Sequence, residues 1–409
     1  MIRILHTSDW HLGKRLERFS RHEEQLAVLD EITEIAEREQ VDAVLVAGDL
    51  FDTFNPPAES LELFYRSLKR LAKNGARAVV AIAGNHDMPE RIEAPDPLAR
   101  ECGIIFSGFP DSTLVPFSLE NGFSISKSEP GFIEIQLEGK PALRVLLTPY
   151  ANEMRLRKGL QTEDSEDELR QFLANHWGNL AEKFCDEKGV NLLLSHLLFM
   201  PEGSEIPEEP EDERPINHLG GAQAVFTSAI PAAMQYVALG HLHRKITMDN
   251  RPCPVIYCGS PISYSFSEAG QQKYVVIVDL EPGKAAIVRP VELSSGRKLE
   301  RKRFENPEEA ENWLRQNPGA LVELTLVTEN YLSGADRRKL NEIHDGIVAI
   351  IPEIKFTASG TDSDPVQTGS HSIDRAQLFV EYFINRRGQP PDEALTDLFR
   401  EVISESDET

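Results

Sequence analysis

Five short apolar runs in this 409-residue chain each stop at residues of metal-ligand type: Asp9-x-His11, Asp49, Asn85-His86-Asp87, Ser195-His196 and Gly240-His241-Leu242-His243. Carboxylates, an amide oxygen and imidazoles at these positions suit a two-metal phosphoesterase site. A phosphodiester resists water because the attacking oxygen and the departing alkoxide both carry charge that one side chain neutralises poorly. Two ions ~3.5–4 Å apart address both ends at once, and one carboxylate must then bridge them. Asp49, in Ala47-Gly48-Asp49, is the best bridging candidate, because the glycine leaves the backbone room beside the ions. The shell holds oxygen and nitrogen and no thiolate. Manganese, iron or zinc therefore suit it better than calcium, magnesium is less suited to so many imidazoles, and manganese is the expectation.

His86 follows the candidate ligand Asn85 directly. An imidazole that titrates near neutrality can protonate a leaving oxygen, so His86 is the candidate general acid. The alternative is a group that only orients a ligand or a phosphate. Asp87 is a candidate for orienting His86, and Asp52 lies three residues past the bridge; structural roles stay open for both.

Ligands spread from Asp9 to His243 can meet only if a fold gathers several strand ends. Strand-like runs fall at residues 2–5, 43–47, 78–83, 144–147, 192–194, 236–239, 255–257 and 274–280. Continuous apolar runs imply strands covered on both faces, and residues 21–39, with Leu26, Leu29, Ile32 and Ala36 in helical register, read as a covering helix. The class is α/β, or layered α+β. In such folds ligands gather beyond the carboxyl ends of strands, where all five clusters sit.

The length allows two or three domains of ~150 residues, and a hydrophobic content of 40% is ordinary for a globular chain. Residues 1–280 form the first. Residues 281–356 read as a smaller α/β lobe, with strands at 286–291, 321–327 and near 354 and helices at 307–316 and 336–344. Residues 357–373 read as a linker, and 374–409 as two amphipathic helices. Leu378, Phe379, Tyr382 and Phe383 share a face of the first helix; Leu395, Leu398, Phe399, Val402 and Ile403 share a face of the second. Those apolar faces are too small to form a domain, so they are expected to bury on a partner, the alternative being packing on this chain itself. Residues 201–214, with seven acids and three prolines, read as a solvated loop. No internal repeat is present.

Composition limits the partners. A formal net charge of −24 opposes nucleic-acid binding unless local basic residues, divalent ions or a partner supply the attraction. Lys14, Arg15, Arg18 and Arg21 follow the first motif and are candidate DNA contacts. Arg297, Lys298, Arg301, Lys302 and Arg303 form a second cluster that reads either as a DNA contact or as a solvated charged face. No apolar run approaches the ~20 residues of a membrane span. The N-terminus enters the first motif with no secretory pattern, and four unpatterned cysteines suit a reducing compartment, so a cytoplasmic location is expected. Cys253 and Cys258 lack a second close pair, which favours buried thiols over a zinc knuckle.

Asp9-Trp10-His11-Leu12-Gly13, Gly48-Asp49-Leu50-Phe51-Asp52, Gly84-Asn85-His86-Asp87 and Gly240-His241-Leu242-His243 together resemble the calcineurin-like metallophosphoesterases. More narrowly, HTSDWHLGK, VAGDLFDTFNPP, ERPINHLGGAQAV, YVALGHLHR and YCGSPISYSFSEAGQQKYV are similar to the nuclease-subunit family of bacterial SbcC–SbcD complexes over residues 1 to about 280. The resemblance implies two packed mixed β-sheets flanked by helices, a capping lobe that positions DNA, and C-terminal helices that dock on an SbcC-type ATPase. It implies a manganese-dependent double-strand 3′–5′ exonuclease and single-strand and hairpin endonuclease, coupled to ATP hydrolysis, with a homodimer inside a two-plus-two heterotetramer. On the same ground Asp9, His11, Asp49 and His243 would hold one ion, Asp49, Asn85, His196 and His241 the other, and His86 would be the catalytic histidine.

Two other readings compete. A phosphoesterase of the same fold acting on a small phosphodiester suits the negative charge. A non-catalytic scaffold that recruits a partner through its C-terminal helices would need no intact ligand set.

Overall fold

The computed structural model describes residues 1–120, 122–156, 165–204, 224–328 and 332–354, and Phe379, Val380, Phe383, Pro391, Leu395, Thr396 and Phe399 near the C-terminus. The chain divides into one unit of residues 1–302 and 319–323 and another of residues 303–318 and 324–409.

Two mixed sheets make the first unit. The six-stranded sheet runs, edge to edge, Ile287–Leu293, Lys273–Leu280, Ile2–Thr7, Ala43–Ala47, Ala78–Ile82 and Ile104–Ser107. Its last four strands are parallel, and Lys273–Leu280 pairs antiparallel on both sides. The seven-stranded sheet runs Ile246–Asp249, Val255–Tyr257, Tyr236–Leu239, Val190–Ser195, Leu143–Thr148, Phe132–Gln136 and Ser124–Glu129. Its central strands Val255–Tyr257, Tyr236–Leu239, Val190–Ser195 and Leu143–Thr148 are parallel.

Alternation along each strand builds the layers. Ile4, Leu45 and Val80 of one sheet face Val145, Leu192 and Ala238 of the other in a single core. Leu5, Val44, Val46 and Val79 point the opposite way, onto Leu29, Ile32 and Ala36 of the helix His22–Arg38 and Phe64, Leu68 and Leu71 of the helix Ala58–Leu71. On the far side Leu146, Leu193 and Val237 meet Leu169, Leu173 and Trp177 of the helix Ser165–Phe184. The architecture is thus helix, sheet, sheet, helix, and it explains why the strands read as continuous apolar runs. The buried His6 ring ties the sheets together, with Nδ1 2.9 Å from the Tyr236 hydroxyl and Nε2 3.1 Å from Leu239 O.

One strand lies elsewhere than the sequence reading places it. Ile287–Leu293, expected in the second lobe, is the edge strand of the six-stranded sheet, in register with Lys273–Leu280. The turn at Glu281–Lys284 returns the chain at once, with Gly283 at φ 68° and Lys284 N bonded to Glu281 O, so hairpin pairing claims the strand.

The second unit carries the helices Pro307–Gln316 and Gly334–Ile343 and most of a three-stranded sheet in the order Leu299–Phe304, Leu321–Thr328, Ile347–Ile354. Near its C-terminus the Phe379 ring stacks on Phe399 with centroids 4.0 Å apart, and Phe383 lies 5.9 Å from Phe379. Leu378, Tyr382, Leu398, Val402, Ile403 and the linker 357–373 lie outside the described residues, as does most of the acidic loop. Among the described residues no helix is long and apolar enough to cross a membrane. Cys253 and Cys258 are buried, as expected for structural thiols.

Candidate metal centre

Each ligand cluster begins within a few residues of a parallel strand's carboxyl end, three on one sheet and two on the other. Past the strands the first two loops stay paired: Asp9 N donates to Gly48 O at 3.0 Å, His11 N to Asp49 O at 2.9 Å and Leu12 N to Leu50 O at 3.0 Å. Trp10 points inward between the two ligands of its motif, fully buried, with Nε1 on Thr7 Oγ1. Asp9, His11, Asp49 and His241 all have positive φ, at 53°, 41°, 49° and 107°. Such a backbone costs ~1–2 kcal/mol per residue. Two or three fully buried core side chains at roughly 1.5–3 kcal/mol each offset that sum, so the fold tolerates the strain where ligand geometry requires it.

The structure brings the seven sequence-predicted ligands together. Asp9, His11 and His243 place ligand atoms within 4.8 Å of one another, and so do Asp49, His196 and His241. His11 Nε2 lies 3.0 Å from His243 Nε2 and 3.5 Å from Asp49 Oδ2. Asn85 Oδ1 lies 3.0 Å from His196 Nε2 and 3.1 Å from His241 Nδ1, and His196 Nε2 is 3.3 Å from Asp49 Oδ2. Asp49 thus borders both groups. Its other oxygen accepts the His86 amide at 2.9 Å, while Asp9 Oδ1 accepts the His241 amide at 2.9 Å.

The donor chemistry fits two cations. His196 Nδ1 lies 2.7 Å from Ala47 O, an acceptor, and therefore carries hydrogen; Nε2 of the neutral ring then aims a lone pair at the Asn85 and Asp49 oxygens. Acceptors that close repel unless a proton or a metal ion stands among them. Without metal the proton is the remedy. Burial works against the His196 cation, but the Asp49 and Asp9 charges prevail and raise its pKa to about 9. Burial lowers His11 and His241 to about 3, leaving neutral rings able to ligate, and lifts Asp9 to about 6 against the pull of His196 and His243. Burial opposes ionisation of Asp49 too, but four interactions with His196, His86 and His11 hold it well below the usual carboxylate range.

Gly48 has a different use from the one expected. A Cβ there would strike the His196 ring, so the glycine admits an imidazole from the other sheet rather than simply clearing space for ions. Gly84 and Gly240 work alike, against Asp49 and against Ala47 O.

His86 sits at the rim with its ring centroid 4.8 Å from that of His11. Nδ1 lies 3.0 Å from Asp52 O, which leaves Nε2 for another partner. Of the two roles open for Asp87, the geometry favours the structural one. Its carboxylate accepts the amides of Gly84 at 2.8 Å and of Leu50 and Phe51 at 3.0 Å, so it buckles two ligand loops together, while the Asp52 carbonyl orients His86. The Asp52 carboxylate lies 3.6 Å from His11 Nδ1 and 3.3 Å from Lys14 Nζ.

Arg21 needs correction. Expected at DNA, it is buried, bonded to Glu24 at 2.7 and 2.8 Å and to Ser263 O at 2.7 Å, and so pins the fold. Lys14 stays near the site, 5.8 Å over the Tyr264 ring; Arg15 and Arg18 ride the short hairpin Arg15–Ser20. In the second cluster Arg301 pairs with Glu323, Lys302 with Glu300 and Arg303 with Glu305 and Glu353, the pattern of a self-neutralised charged face.

Sequence reasoning missed Arg155. Its guanidinium donates to Gly84 O at 2.8 Å and Asp87 O at 2.7 Å, clamping the loop that carries Asn85 and His86, and stacks on Tyr150. No spacing signal marks it. Glu268 and Lys273 were visible only inside a recognised motif without a role.

Fold and site define the class, since residues 2–245 match the calcineurin-like phosphoesterase family. The chain is 38% identical over 411 residues to the SbcD subunit of the nuclease SbcCD of Bacillus subtilis, with 98% of each covered. It is 34% identical to the SbcD of Rhodobacter capsulatus over 69% of this chain and 68% of the relative, and 28% identical to that of Escherichia coli K12 over 94% and 92%. The chain belongs to the SbcD family of calcineurin-like phosphoesterases, and is a metal-dependent phosphodiesterase.

Proposed function

We propose that this chain is a two-metal, manganese-dependent DNA nuclease, acting as a double-strand 3′–5′ exonuclease and a single-strand and hairpin endonuclease. It works with an SbcC-type ATPase whose ATP hydrolysis is coupled to cleavage, as a homodimer within a cytoplasmic two-plus-two assembly. The observation that carries the reading is the pair of converging ligand groups with Asp49 between them.

Asp9, His11, Asp49 and His243 would hold one ion, and Asp49, Asn85, His196 and His241 the other. The bound ions supply charge neutralisation at the attacking and departing oxygens of the phosphodiester. His86, oriented through Nδ1 by the Asp52 carbonyl, presents Nε2 to the leaving oxygen and donates the proton it needs as the P–O bond breaks. Arg155 and Asp87 keep the His86 loop registered on Asp49. Lys14, Arg15 and Arg18 offer phosphate contacts beside the site, and at a Debye length of ~8 Å more distant acids are screened. The half-buried rings of Phe379, Phe383 and Phe399 support a docking role for the C-terminal helices.

The test is manganese-dependent nucleotide release from linear duplex DNA, with the SbcC-type partner and ATP, and Asp49→Asn as control. Release that needs metal, partner and Asp49 supports the nuclease. Hydrolysis of a small aryl phosphodiester without DNA cleavage would transfer the assignment to a small-substrate phosphoesterase.

A further inference from the structure

The segment Ser263–Glu268 contributes no ligand, yet it touches the supports of one ion site at several points. The Tyr264 hydroxyl donates to Trp10 O, inside the Asp9-x-His11 motif. Gln25 Nε2 joins the Tyr264 hydroxyl at 3.3 Å to His11 O at 2.8 Å. Glu268, 2% exposed, ends the segment with Oε1 3.5 Å from His243 Nδ1. Its Oε2 accepts from Lys273 Nζ and, at 3.1 Å, from Ser260 Oγ. Lys273 Nζ also donates to His243 O at 2.8 Å. One buried ion pair therefore meets His243 twice: the Glu268 carboxylate stands behind the ring at 3.5 Å, and Lys273 holds the main-chain carbonyl.

A buried Glu–Lys pair adds little stability by itself, since an apolar pair of similar volume avoids the desolvation penalty. Its placement explains it better. A carboxylate behind Nδ1 favours the tautomer that carries hydrogen there, and so turns the Nε2 lone pair toward His11 Nε2, 3.0 Å away.

We propose that Glu268, held by Lys273, is a positioning residue that fixes the ring and tautomer of His243 for the ion held with Asp9 and His11. The inference rests on the two-metal reading and adds the group that makes one of the two sites depend on the distant SYSFSE segment.

Two measurements on the full-length protein test it. In the metal-free protein, ¹⁵N-histidine NMR with His243 assigned by substitution should show hydrogen on Nδ1; an Nδ1 without hydrogen would overturn the proposal. Manganese titration against a chromophoric chelator should give two ions for the parent. The volume-conserving Glu268→Met/Lys273→Met variant, folded by circular dichroism, should lose roughly 10–100-fold in affinity for one ion and keep the other. Parent-like affinity for both ions in that variant refutes the proposal while leaving the two-metal reading intact; a parent that binds fewer than two ions sinks that reading itself. Should the double variant fail to fold, Glu268→Gln decides by the same criterion.

Discussion

The imidazoles of one proposed ion site are backed by side-chain carboxylates, and His196 of the other by the main chain. Behind His11 lies Asp52 at 3.6 Å, and behind His243 lies Glu268 at 3.5 Å. Behind His196 lies the Ala47 carbonyl at 2.7 Å, while Arg155 grips the carbonyls around Asn85. A strand carbonyl cannot be moved without moving the sheet, whereas a carboxylate can be shortened, neutralised or repelled. The first site is therefore open to tuning by single side chains, and the second answers chiefly to backbone changes.

The largest expected effect ignores the distinction. Asp49→Asn removes the charge that both groups share, so hydrolysis should fall to background and manganese titration should lose both tight ions with the fold kept. Near-normal cleavage would break the assignment of Asp49 as the bridge. Next comes His86→Ala, which should bind both ions like the parent while turnover drops roughly 10²–10⁴-fold; metal loss in parallel would make His86 a support instead.

Site-selective effects should be smaller. Gly48→Ala drives a Cβ into His196 at a positive φ, so it should weaken the second ion and lower the melting temperature. Asp52→Asn should cost the first ion roughly 10-fold and spare the second. Equal loss at both sites in either variant would erase the comparison.

Protons sharpen it. With Asp9 near 6 and His196 near 9, the Asp9 carboxyl of the first group is largely ionised at pH 7.5 in the metal-free protein, while the second group holds a proton on His196. Second-site affinity should therefore climb about tenfold per pH unit toward pH 9, while the contribution of Asp9 to first-site affinity should level off above pH 7. Calorimetry in buffers of different ionisation enthalpy reads the released proton directly. The smallest effect concerns DNA: Lys14→Gln should lower the salt slope of binding by about 1, whereas Arg21→Gln should leave the slope alone and reduce stability.

Much of the fold was legible because buried parallel strands are written as apolar runs. Ala43–Ala47, Tyr236–Leu239 and Val255–Tyr257 coincide with their expected bounds, as does the helix Pro307–Gln316, with proline at its start and a moderate amphipathic pattern. Ser124–Glu129, with a mostly polar strand pattern at a sheet edge, gives no such run. Ile287–Leu293 was visible as a strand, but its sheet was not, because pairing depends on the preceding turn and partner.

By itself the sequence determined the ligand types, their order and their position after buried strands, because local chemistry and hydrophobic pattern are written in neighbouring residues. Tertiary structure alone decided that Asp87 serves backbone amides, that Arg21 is consumed by Glu24, and that Glu268 stands behind His243. Each of those roles turns on which polar group, near or far along the chain, packing leaves without water. A buried charge takes the nearest partner that compensates its desolvation, and only the folded chain specifies that partner.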